Sequence, residues 1–183
     1  LKNLPWKEYD VDMVFDTTGK FKTRKALKGH LDAGADLVVL SAPFDDKKDP
    51  DAAADSTYMP GVRDYTITDA DKDDLEKRII SAASCTTNGM SPAMMAINDM
   101  VEGGIDAYFF DTIHAVTGSQ NILDGPSSKA ERGSSTLGNI IPTATGAAKS
   151  VGNVIFSLRG KGDGRSLRVN VVDGSVISVS MIV

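Results

Sequence analysis

The stretch VDMVFDTTGKFKTRKALKGHLDAGADLVVL, residues 11–40, holds two short apolar segments on either side of a segment with helical periodicity. Val11 to Phe15 and Leu37 to Leu40 have the length and apolar character of strands buried in a parallel sheet. Thr23 to Gly34 repeats its apolar residues at helical spacing, and Thr23 is a suitable N-cap. Strand, helix and strand in about 30 residues form a βαβ unit with a right-handed crossover. The sequence therefore predicts an α/β fold.

The rest of the first half is charged and ends in one more strand. Asp45 to Asp55 is acidic and contains Pro50, so we expect a solvated surface loop; a cation site formed by its carboxylates is the alternative. Thr68 to Arg78 is also charged and is expected to cover surface. Ile79 and Ile80 predict a short third strand.

A different pattern begins at Ser84 and predicts a second domain, with a boundary near residue 83. Asn121 to Leu137 is polar and predicts a long ordered loop, and Asp173-Gly174 predicts a hairpin turn between the last two strands. The predicted helices are Pro92 to Met100 and Thr145 to Leu158, and the predicted strands are Asp106 to Val116, Leu167 to Val172 and Ser175 to Val183.

Composition excludes several classes of protein. Of the 183 residues, 41% are hydrophobic and 25% are charged, as in ordinary globular domains. Lys and Arg number 20 against 25 Asp and Glu, and the net charge of −5 argues against nucleic-acid binding. One cysteine excludes an intramolecular disulfide framework and a multi-cysteine zinc site, and two histidines argue against a His-based metal site.

The two ends of the chain carry no targeting pattern. We see no secretory signal and no run approaching the roughly 18 apolar residues of a membrane helix, so a cytoplasmic location is expected. The chain starts with Leu1 and ends in a β-rich segment without a closing turn, which predicts a fragment of a longer chain. A natural edge strand at the terminus is the alternative.

A candidate nucleophile lies between a predicted strand and a predicted helix, in Ser84-Cys85-Thr86-Thr87-Asn88. Cys85 is expected at or just before the helix N-terminus, where backbone N–H groups and the helix dipole favour a thiolate. The alternative is a small buried hydrophobic residue, the usual role of a single cysteine. His114 would hold the thiol ionised and shuttle a proton if the two side chains meet; otherwise it is a core histidine.

Other polar residues suit an anionic ligand. Thr145-Gly146 opens a predicted helix whose N–H groups can bind an anion, and Ser84 and Thr86 add donors beside the thiol. Arg168 offers a planar guanidinium suited to phosphate. A simple helix cap is the alternative for Thr145, and a surface salt bridge is the alternative for Arg168. Together these donors point to a phosphorylated small molecule.

A set of motifs occurs in one order along the chain: Asp16-Thr17-Thr18-Gly19-Lys20-Phe21, Ser41-Ala42-Pro43, Ser81-Ala82-Ala83-Ser84-Cys85-Thr86-Thr87-Asn88, Thr112-Ile113-His114-Ala115-Val116-Thr117 with Gln120, Asp124-Gly125-Pro126-Ser127, Asn139-Ile140-Ile141-Pro142, Thr145-Gly146-Ala147-Ala148-Lys149, and Arg168-Val169 with Asp173-Gly174-Ser175-Val176. In this combination the sequence resembles the family of phosphorylating glyceraldehyde-3-phosphate dehydrogenases from about Val11 to its end.

The resemblance implies a fold and an activity. The fold is the C-terminal part of a Rossmann-type NAD(P)-binding domain over residues 1–83, followed by a partial α+β catalytic domain with a mostly antiparallel sheet over residues 84–183. The activity is the oxidative phosphorylation of glyceraldehyde 3-phosphate to 1,3-bisphosphoglycerate, with NAD or NADP as cofactor and inorganic phosphate as second substrate. The family assembles as a homotetramer, and neither nucleic acid nor membrane is implied as a partner.

The resemblance also implies a role for each matching residue. Cys85 is the nucleophile that forms a hemithioacetal and then a thioester, and His114 is the base that activates it. The residues that match the site for attacking phosphate are Ser84, Thr86, Thr145 and Gly146. Those that match the site for the substrate's own phosphate are Thr117 and Arg168. Those that match the dinucleotide contacts are Thr17, Thr18, Gly19, Phe21 and Ser41. The Asn121 to Gly138 region matches a loop that reaches toward a neighbouring subunit's cofactor.

The chain departs from the family pattern at several points. The N-terminal glycine-rich phosphate loop, the acidic residue that binds ribose and the late asparagine that anchors the nicotinamide are absent, so we expect this chain alone to be inactive. The family commonly has asparagine at the position of Ala82, cysteine or alanine at that of Gly89, and proline at that of Asn170. Two other functions compete with the dehydrogenase: a non-catalytic binding relative, and another thiol enzyme such as a semialdehyde or acyl-phosphate reductase.

Overall fold

The computed structural model describes residues 1–45, 47–64, 74–127 and 130–183. The chain forms two compact units: Leu1–Met95 with Ser150–Ser157, and Ala96–Lys149 with Leu158–Val183. Most of the charged stretch predicted from Thr68 lies outside the described residues, and its end forms one helical turn, Leu75–Arg78 (α3). The predicted domain boundary near residue 83 stays a prediction.

The first unit is built on a parallel sheet of three strands. They are β1 (Met13–Asp16), β2 (Leu37–Leu40) and β3 (Ile79–Ser81), and they lie in the order β1-β2-β3. Helix α1 (Arg24–Asp32) connects the first two strands. The predicted βαβ unit and third strand are confirmed, with β1 lying slightly later in the chain than predicted.

Both ends of α1 follow from local chemistry. The Thr23 hydroxyl oxygen accepts the N–H of Ala26 at 3.2 Å, which confirms Thr23 as the N-cap. Gly34 has φ +118°, a backbone conformation that favours glycine. A Cβ at Gly34 would come within 2.7 Å of the Lys7 backbone nitrogen, so the N-terminal segment can pack here only against glycine.

The core of the first unit lies between α1 and one face of the sheet. Its buried members are Leu27, Val38, Leu40, Phe44, Ala52, Ala53 and Ile79. The presence of Ala52 and Ala53 corrects the prediction of a solvated loop from Asp45 to Asp55, because Pro50–Asp55 is a short helix, α2. Pro50 suits a first helical turn, the two alanines pack inward, and the Asp49 carboxylate accepts the Arg24 N–H at 2.7 Å.

The second unit contains a mixed sheet of four strands. They are β4 (Ala107–Ala115), β5 (Ile141–Thr143), β6 (Gly162–Val169) and β7 (Ser175–Ile182), in the order β5-β6-β4-β7. The central pair, β4 and β6, is parallel, whereas β4 with β7 and β5 with β6 are antiparallel. The sheet is therefore mixed: two of the three pairings between these strands are antiparallel, and the parallel one lies at the centre.

The predicted hairpin at Asp173-Gly174 is wrong. Strands β6 and β7 both pair with β4, on opposite sides, so the chain crosses the end of β4 between them. Asp173-Gly174 still makes a turn, with Gly174 at φ +84°, but a turn signal is local and does not report which strand will be the neighbour. Strand β6 also begins earlier than predicted, because Gly162 and Gly164 lie against the rings of Tyr108 and Phe110.

Two further helices begin at candidate site residues, one at Cys85 and one directly after Thr145-Gly146. Helix α4 (Cys85–Met100) begins before the predicted start, so that Pro92 lies inside it. Helix α5 (Ala147–Val154) is followed by a 3-10 turn, Phe156–Leu158, within the range predicted as one helix. None of the helices in the described ranges is long and apolar enough to cross a membrane.

Candidate active site

Three polar loops meet at one edge of the first unit's sheet. Because β1, β2 and β3 are parallel, the segments that follow them all leave at the carboxyl edge, where α/β proteins bind ligands. Hydrogen bonds join these segments: the Ser41 N–H donates to the Asp16 carbonyl at 3.1 Å, and the Ala82 N–H donates to the Leu40 carbonyl at 3.0 Å. The Ser81 hydroxyl adds a bond to the Ala42 carbonyl at 2.8 Å.

The residues predicted to contact a dinucleotide lie on the first two of these loops. Thr17, Thr18 and Gly19 are exposed directly after β1, and Ser41 is exposed directly after β2. Phe21 differs from them, because its ring is partly buried against the core of the first unit. The exposed edge therefore presents backbone and hydroxyl groups to a ligand, while Phe21 packs against the core.

The third loop places Cys85 through a strained turn. Ala83 is buried and has φ +61°, a conformation that costs a non-glycine residue about 1–2 kcal/mol. Its N–H donates to the Ser81 hydroxyl at 2.9 Å, which ties the turn to the end of β3. The surrounding hydrogen bonds thus hold a conformation that alanine rarely adopts, and the chain enters α4 immediately after it.

Ser84 and Asn88 cap the helix that begins at Cys85. The Ser84 hydroxyl oxygen accepts the Thr87 N–H at 3.1 Å, and the two hydroxyl groups hydrogen bond at 2.7 Å. The Asn88 amide donates to the carbonyls of Ala82 at 2.7 Å and Ser84 at 2.9 Å. Asn88 therefore binds the turn back onto the first turn of the helix.

Cys85 is the first residue of the 16-residue helix α4, and its side chain is exposed. The exposure contradicts the alternative of a buried hydrophobic cysteine. A helix N-terminus favours an anion such as a thiolate, which is the nucleophilic form of cysteine. Of the two donors predicted beside the thiol, Ser84 is engaged in capping and Thr86 is buried.

In the second unit, His114 and Arg168 lie side by side. They are register partners on the parallel strands β4 and β6, so their side chains leave the same face of the sheet. Arg168 is half-buried, and its Nη1 donates to the Ala115 carbonyl at 3.2 Å. Burial lowers the pKa of His114 below its ordinary value of 6.5, and the positive charge of Arg168 lowers it further. His114 is thus a neutral imidazole at neutral pH, which is the form that accepts a proton.

A cluster of donors surrounds Thr117, just beyond the end of β4. The Thr117 N–H donates to the Gln120 side-chain oxygen at 3.1 Å, and the Thr117 and Ser119 hydroxyls lie 3.1 Å apart. Arg132 donates to the Ser119 hydroxyl at 3.0 Å and so brings a second guanidinium to this cluster. The sequence analysis missed Arg132, because only the folded loop brings it next to Ser119.

Thr145 and Gly146 precede α5 as predicted. The Thr145 hydroxyl accepts the Ala147 N–H at 3.2 Å, so the helix-cap role that we considered as the alternative is present. Gly146 is exposed at the same helix start. The hydroxyl thus occupies the Ala147 N–H, one of the donors with which a helix start binds an anion.

The candidate residues are divided between the two units. The first unit brings Cys85, Ser84 and Thr86 to the same sheet edge as the dinucleotide candidates. The second unit carries His114 beside Arg168, together with Thr117 and Thr145-Gly146. The pairing of Cys85 with His114 stays a prediction. Within the described ranges, no group of three or more His, Cys, Asp or Glu side chains is arranged to hold a metal ion.

The structure is thus an α/β protein with an exposed cysteine at a capped helix start, on the carboxyl edge of a parallel sheet. The sequence profile described as the C-terminal domain of glyceraldehyde 3-phosphate dehydrogenase matches residues 84–183. The chain therefore belongs to the glyceraldehyde-3-phosphate dehydrogenase family, as the sequence motifs predicted.

Curated relatives carry the same name. The glyceraldehyde-3-phosphate dehydrogenase of Kitasatospora aureofaciens is 44% identical over 178 residues, covering 97% of this chain and 49% of that relative. Those of Mycolicibacterium smegmatis and Haloarcula vallismortis are 44% and 42% identical, covering 97% and 94% of this chain and 48% of each relative. The chain thus spans about half the length of the curated relatives that it matches.

Proposed function

We propose that the protein is an NAD(P)-dependent, phosphorylating glyceraldehyde-3-phosphate dehydrogenase, and that this chain carries its nucleophile and its base. The observation that carries the proposal is the exposed Cys85 at the capped start of α4, on the carboxyl edge of the sheet. Membership of the family supports the same reaction. The proposal includes the family's homotetramer and a cytoplasmic location.

The residues after β1 and β2 fit a dinucleotide. Three parallel strands with a helical crossover are the core of a Rossmann-type domain, and we assign residues 1–83 to it. Thr17, Thr18, Gly19 and Ser41 are exposed at the carboxyl edge, where such domains bind their cofactors. Gly19 has a positive φ, and no atom beyond the adjacent residues lies within 4 Å of the position of a Cβ there, so a ligand can approach the backbone closely. A bound nicotinamide supplies the hydride acceptor.

Cys85 begins the reaction as a nucleophile. Its sulfur bonds to the aldehyde carbon of the substrate, and the thiol proton passes through the His114 imidazole to the carbonyl oxygen, which becomes the hydroxyl of a hemithioacetal and leaves His114 neutral. Loss of hydride from that carbon, with loss of the hydroxyl proton to His114, leaves a thioester. Inorganic phosphate then attacks the thioester carbon, the carbon–sulfur bond breaks, and 1,3-bisphosphoglycerate leaves as Cys85 returns to its thiolate.

The two phosphate groups are assigned to different donors. Arg168 and Thr117 bind the phosphate of the substrate, since a planar guanidinium can form paired hydrogen bonds with phosphate oxygens. The attacking phosphate binds at the helix starts that hold Ser84-Cys85-Thr86 and Thr145-Gly146, because helix N-termini bind anions. Arg132, through Ser119, adds positive charge near Thr117.

The loop from Asn121 to Gly138 is proposed as the contact with a neighbouring subunit's cofactor. Its described part carries exposed apolar side chains at Ile122, Leu123 and Leu137, which is the character of a surface that another subunit covers. Residues 128 and 129 of this loop lie outside the described residues.

Trapping of the covalent intermediate tests the proposal in the full-length protein. With glyceraldehyde 3-phosphate and NAD or NADP but no phosphate, intact-mass measurement should find a phosphoglyceroyl adduct, and peptide mapping should place it on Cys85. The folded Cys85→Ser variant should form no adduct and lose turnover by orders of magnitude, because a hydroxyl is far less ionised at neutral pH. A wild-type protein that binds the substrate but forms neither adduct nor reduced cofactor would instead indicate the non-catalytic binding relative.

A further inference from the structure

Two buried titratable side chains lie beneath the β1 loop, and the reaction proposed above does not use them. Asp16, the last residue of β1, is 3% exposed, and His30 on α1 is 5% exposed. The Asp16 Oδ2 lies 3.3 Å from the His30 Nε2. The other ring nitrogen of His30, Nδ1, accepts a hydrogen bond from the Trp6 indole at 3.0 Å.

The indole fixes the direction of every hydrogen bond in this network. An indole N–H can only donate, so the His30 Nδ1 must accept and the proton of the neutral ring sits on Nε2. Nε2 then donates to the Asp16 carboxylate. Burial raises the pKa of Asp16, but the hydrogen bonds from Thr18 and His30 together outweigh it and hold the pKa below the ordinary value of 3.8. Asp16 is therefore an ionised acceptor.

The other carboxylate oxygen of Asp16 holds the exposed loop. Its Oδ1 accepts both the Thr18 N–H at 2.9 Å and the Thr18 hydroxyl at 2.7 Å. The Thr18 hydroxyl oxygen in turn accepts the Lys20 N–H at 3.2 Å, and the Asp16 carbonyl accepts the Ser41 N–H at 3.1 Å. One buried aspartate thus orients the loop after β1 and also contacts the start of the loop after β2.

We propose that Trp6, His30 and Asp16 form a positioning network that sets the Thr17–Gly19 loop in the conformation that binds the dinucleotide. The inference rests on the proposed function, since it assigns that loop to the cofactor. The three residues do not touch the ligand; they act through the Asp16 carboxylate on Thr18. Without the His30 donor, one carboxylate oxygen loses its bond inside the protein, and Asp16 can turn away from Thr18.

Substitutions of His30 in the full-length protein test the network. His30→Leu removes both hydrogen bonds, and we expect the Kd for NAD or NADP, measured by calorimetry, to rise about tenfold, which corresponds to one hydrogen bond to a charged group. The kcat at saturating cofactor should stay unchanged. His30→Gln should recover most of the affinity, because its amide nitrogen can donate to Asp16 from nearly the position of Nε2.

A second readout needs no cofactor. Hydrogen exchange of a peptide covering residues 13–22 should be faster in His30→Leu than in the wild type and normal in His30→Gln. The matched control is Leu27→Ala, which lies on the same helix, is fully buried and has no part in the network. We expect it to lower the melting temperature at least as much as His30→Leu while leaving the cofactor Kd unchanged.

The outcomes separate the two proposals. If the wild type binds the dinucleotide and His30→Leu changes its affinity no more than Leu27→Ala does, the positioning role is wrong and the network only stabilises the fold. The same conclusion follows if His30→Gln is as weak a binder as His30→Leu. A wild-type protein that binds neither NAD nor NADP would overturn the proposed function itself, and the positioning role with it.

Discussion

At the scale of single residues, Arg168 has two candidate roles: it binds the substrate phosphate, or it only stabilises the strands around it. Arg168 is the register partner of His114 on the adjacent strand, and its Nη1 donates to the Ala115 carbonyl, while the residue as a whole is only half-buried. Binding of a substrate phosphate would require paired hydrogen bonds from the guanidinium, whereas stabilisation of the strands would not.

Arg168→Lys separates these roles by substrate. Lysine keeps the charge but loses the planar fork, so we expect the KM for glyceraldehyde 3-phosphate to rise in steady-state assays of the full-length enzyme. Glyceraldehyde without its phosphate never meets the fork, and its low kcat/KM should be nearly unchanged. Equal losses for both substrates, together with a lower melting temperature, would assign Arg168 to the strand alone.

His114 makes a prediction about stability and pH. Because its pKa in the folded protein lies below 6.5, the unfolded chain takes up a proton at this position before the folded protein does as the pH falls. The folded state therefore loses stability as the pH falls from about 6.5 toward that lower pKa. Urea unfolding at pH 7.5 and pH 5.0 should show a larger loss for the wild type than for His114→Asn. Equal losses would show that His114 titrates normally in the folded protein.

Single residues also show where sequence reasoning stops. The positions of Cys85 and Thr23 at helix starts were predictable because they depend on neighbours within one helical turn. Arg63 was not, although its guanidinium lies over the rings of Tyr58 and Phe156 and donates to the Asn153 carbonyl, which is 90 residues away. A contact between such distant residues leaves no periodicity in the sequence.

At the scale of elements, α4 is the helix on which the candidate site depends. Its apolar periodicity starts only near Pro92 and predicted the second half of the helix, whereas the helix start at Cys85 was expected from the residues around the cysteine. The first two turns are polar and are held by Ser84 and Asn88, which bond the strained turn at Ala83 to the helix start. The position of Cys85 therefore depends on capping and not on burial.

Loss of this cap should be measurable. Ser84→Ala removes the acceptor for the Thr87 N–H, and we expect a loss of about 1 kcal/mol in the free energy of unfolding, the usual cost of deleting a serine cap. Ser84→Thr keeps the acceptor and serves as the control. Chemical denaturation of both variants checks the prediction; a Ser84→Ala protein as stable as the wild type would mean that Asn88 alone secures the helix start.

The strands of the two sheets differ in how far the sequence determined them. All three strands of the parallel sheet were predicted, because buried apolar runs bounded by polar turns are typical of such strands. In the mixed sheet, the existence of β4 and β7 was predicted but the neighbour of β7 was not. Asp173-Gly174 provides the turn, while the choice of partner depends on β4 lying between β6 and β7.

At the scale of the whole molecule, the proposed reaction needs one residue from each unit. Cys85 belongs to the unit of Leu1–Met95, and His114 to the unit of Ala96–Lys149. If the His114 imidazole accepts the thiol proton, the reactivity of Cys85 must depend on His114. The reactivity of the Cys85 thiol can therefore report whether His114 acts on Cys85 in the intact protein.

The rate of alkylation provides that measurement. We expect iodoacetamide to modify Cys85 of the full-length protein at neutral pH much faster than a small-molecule thiol, since the helix start favours the thiolate and the neutral His114 imidazole can accept the thiol proton. In His114→Asn the rate of modification at neutral pH should fall. The matched control is His30→Gln. His30 is the other of the two histidines in the chain, and the glutamine amide can replace its donor to Asp16.

A wild-type rate no faster than that of the free thiol would show that the protein does not activate Cys85. Identical rates for wild type and His114→Asn would leave the helix start as the source of activation and remove His114 from the reaction.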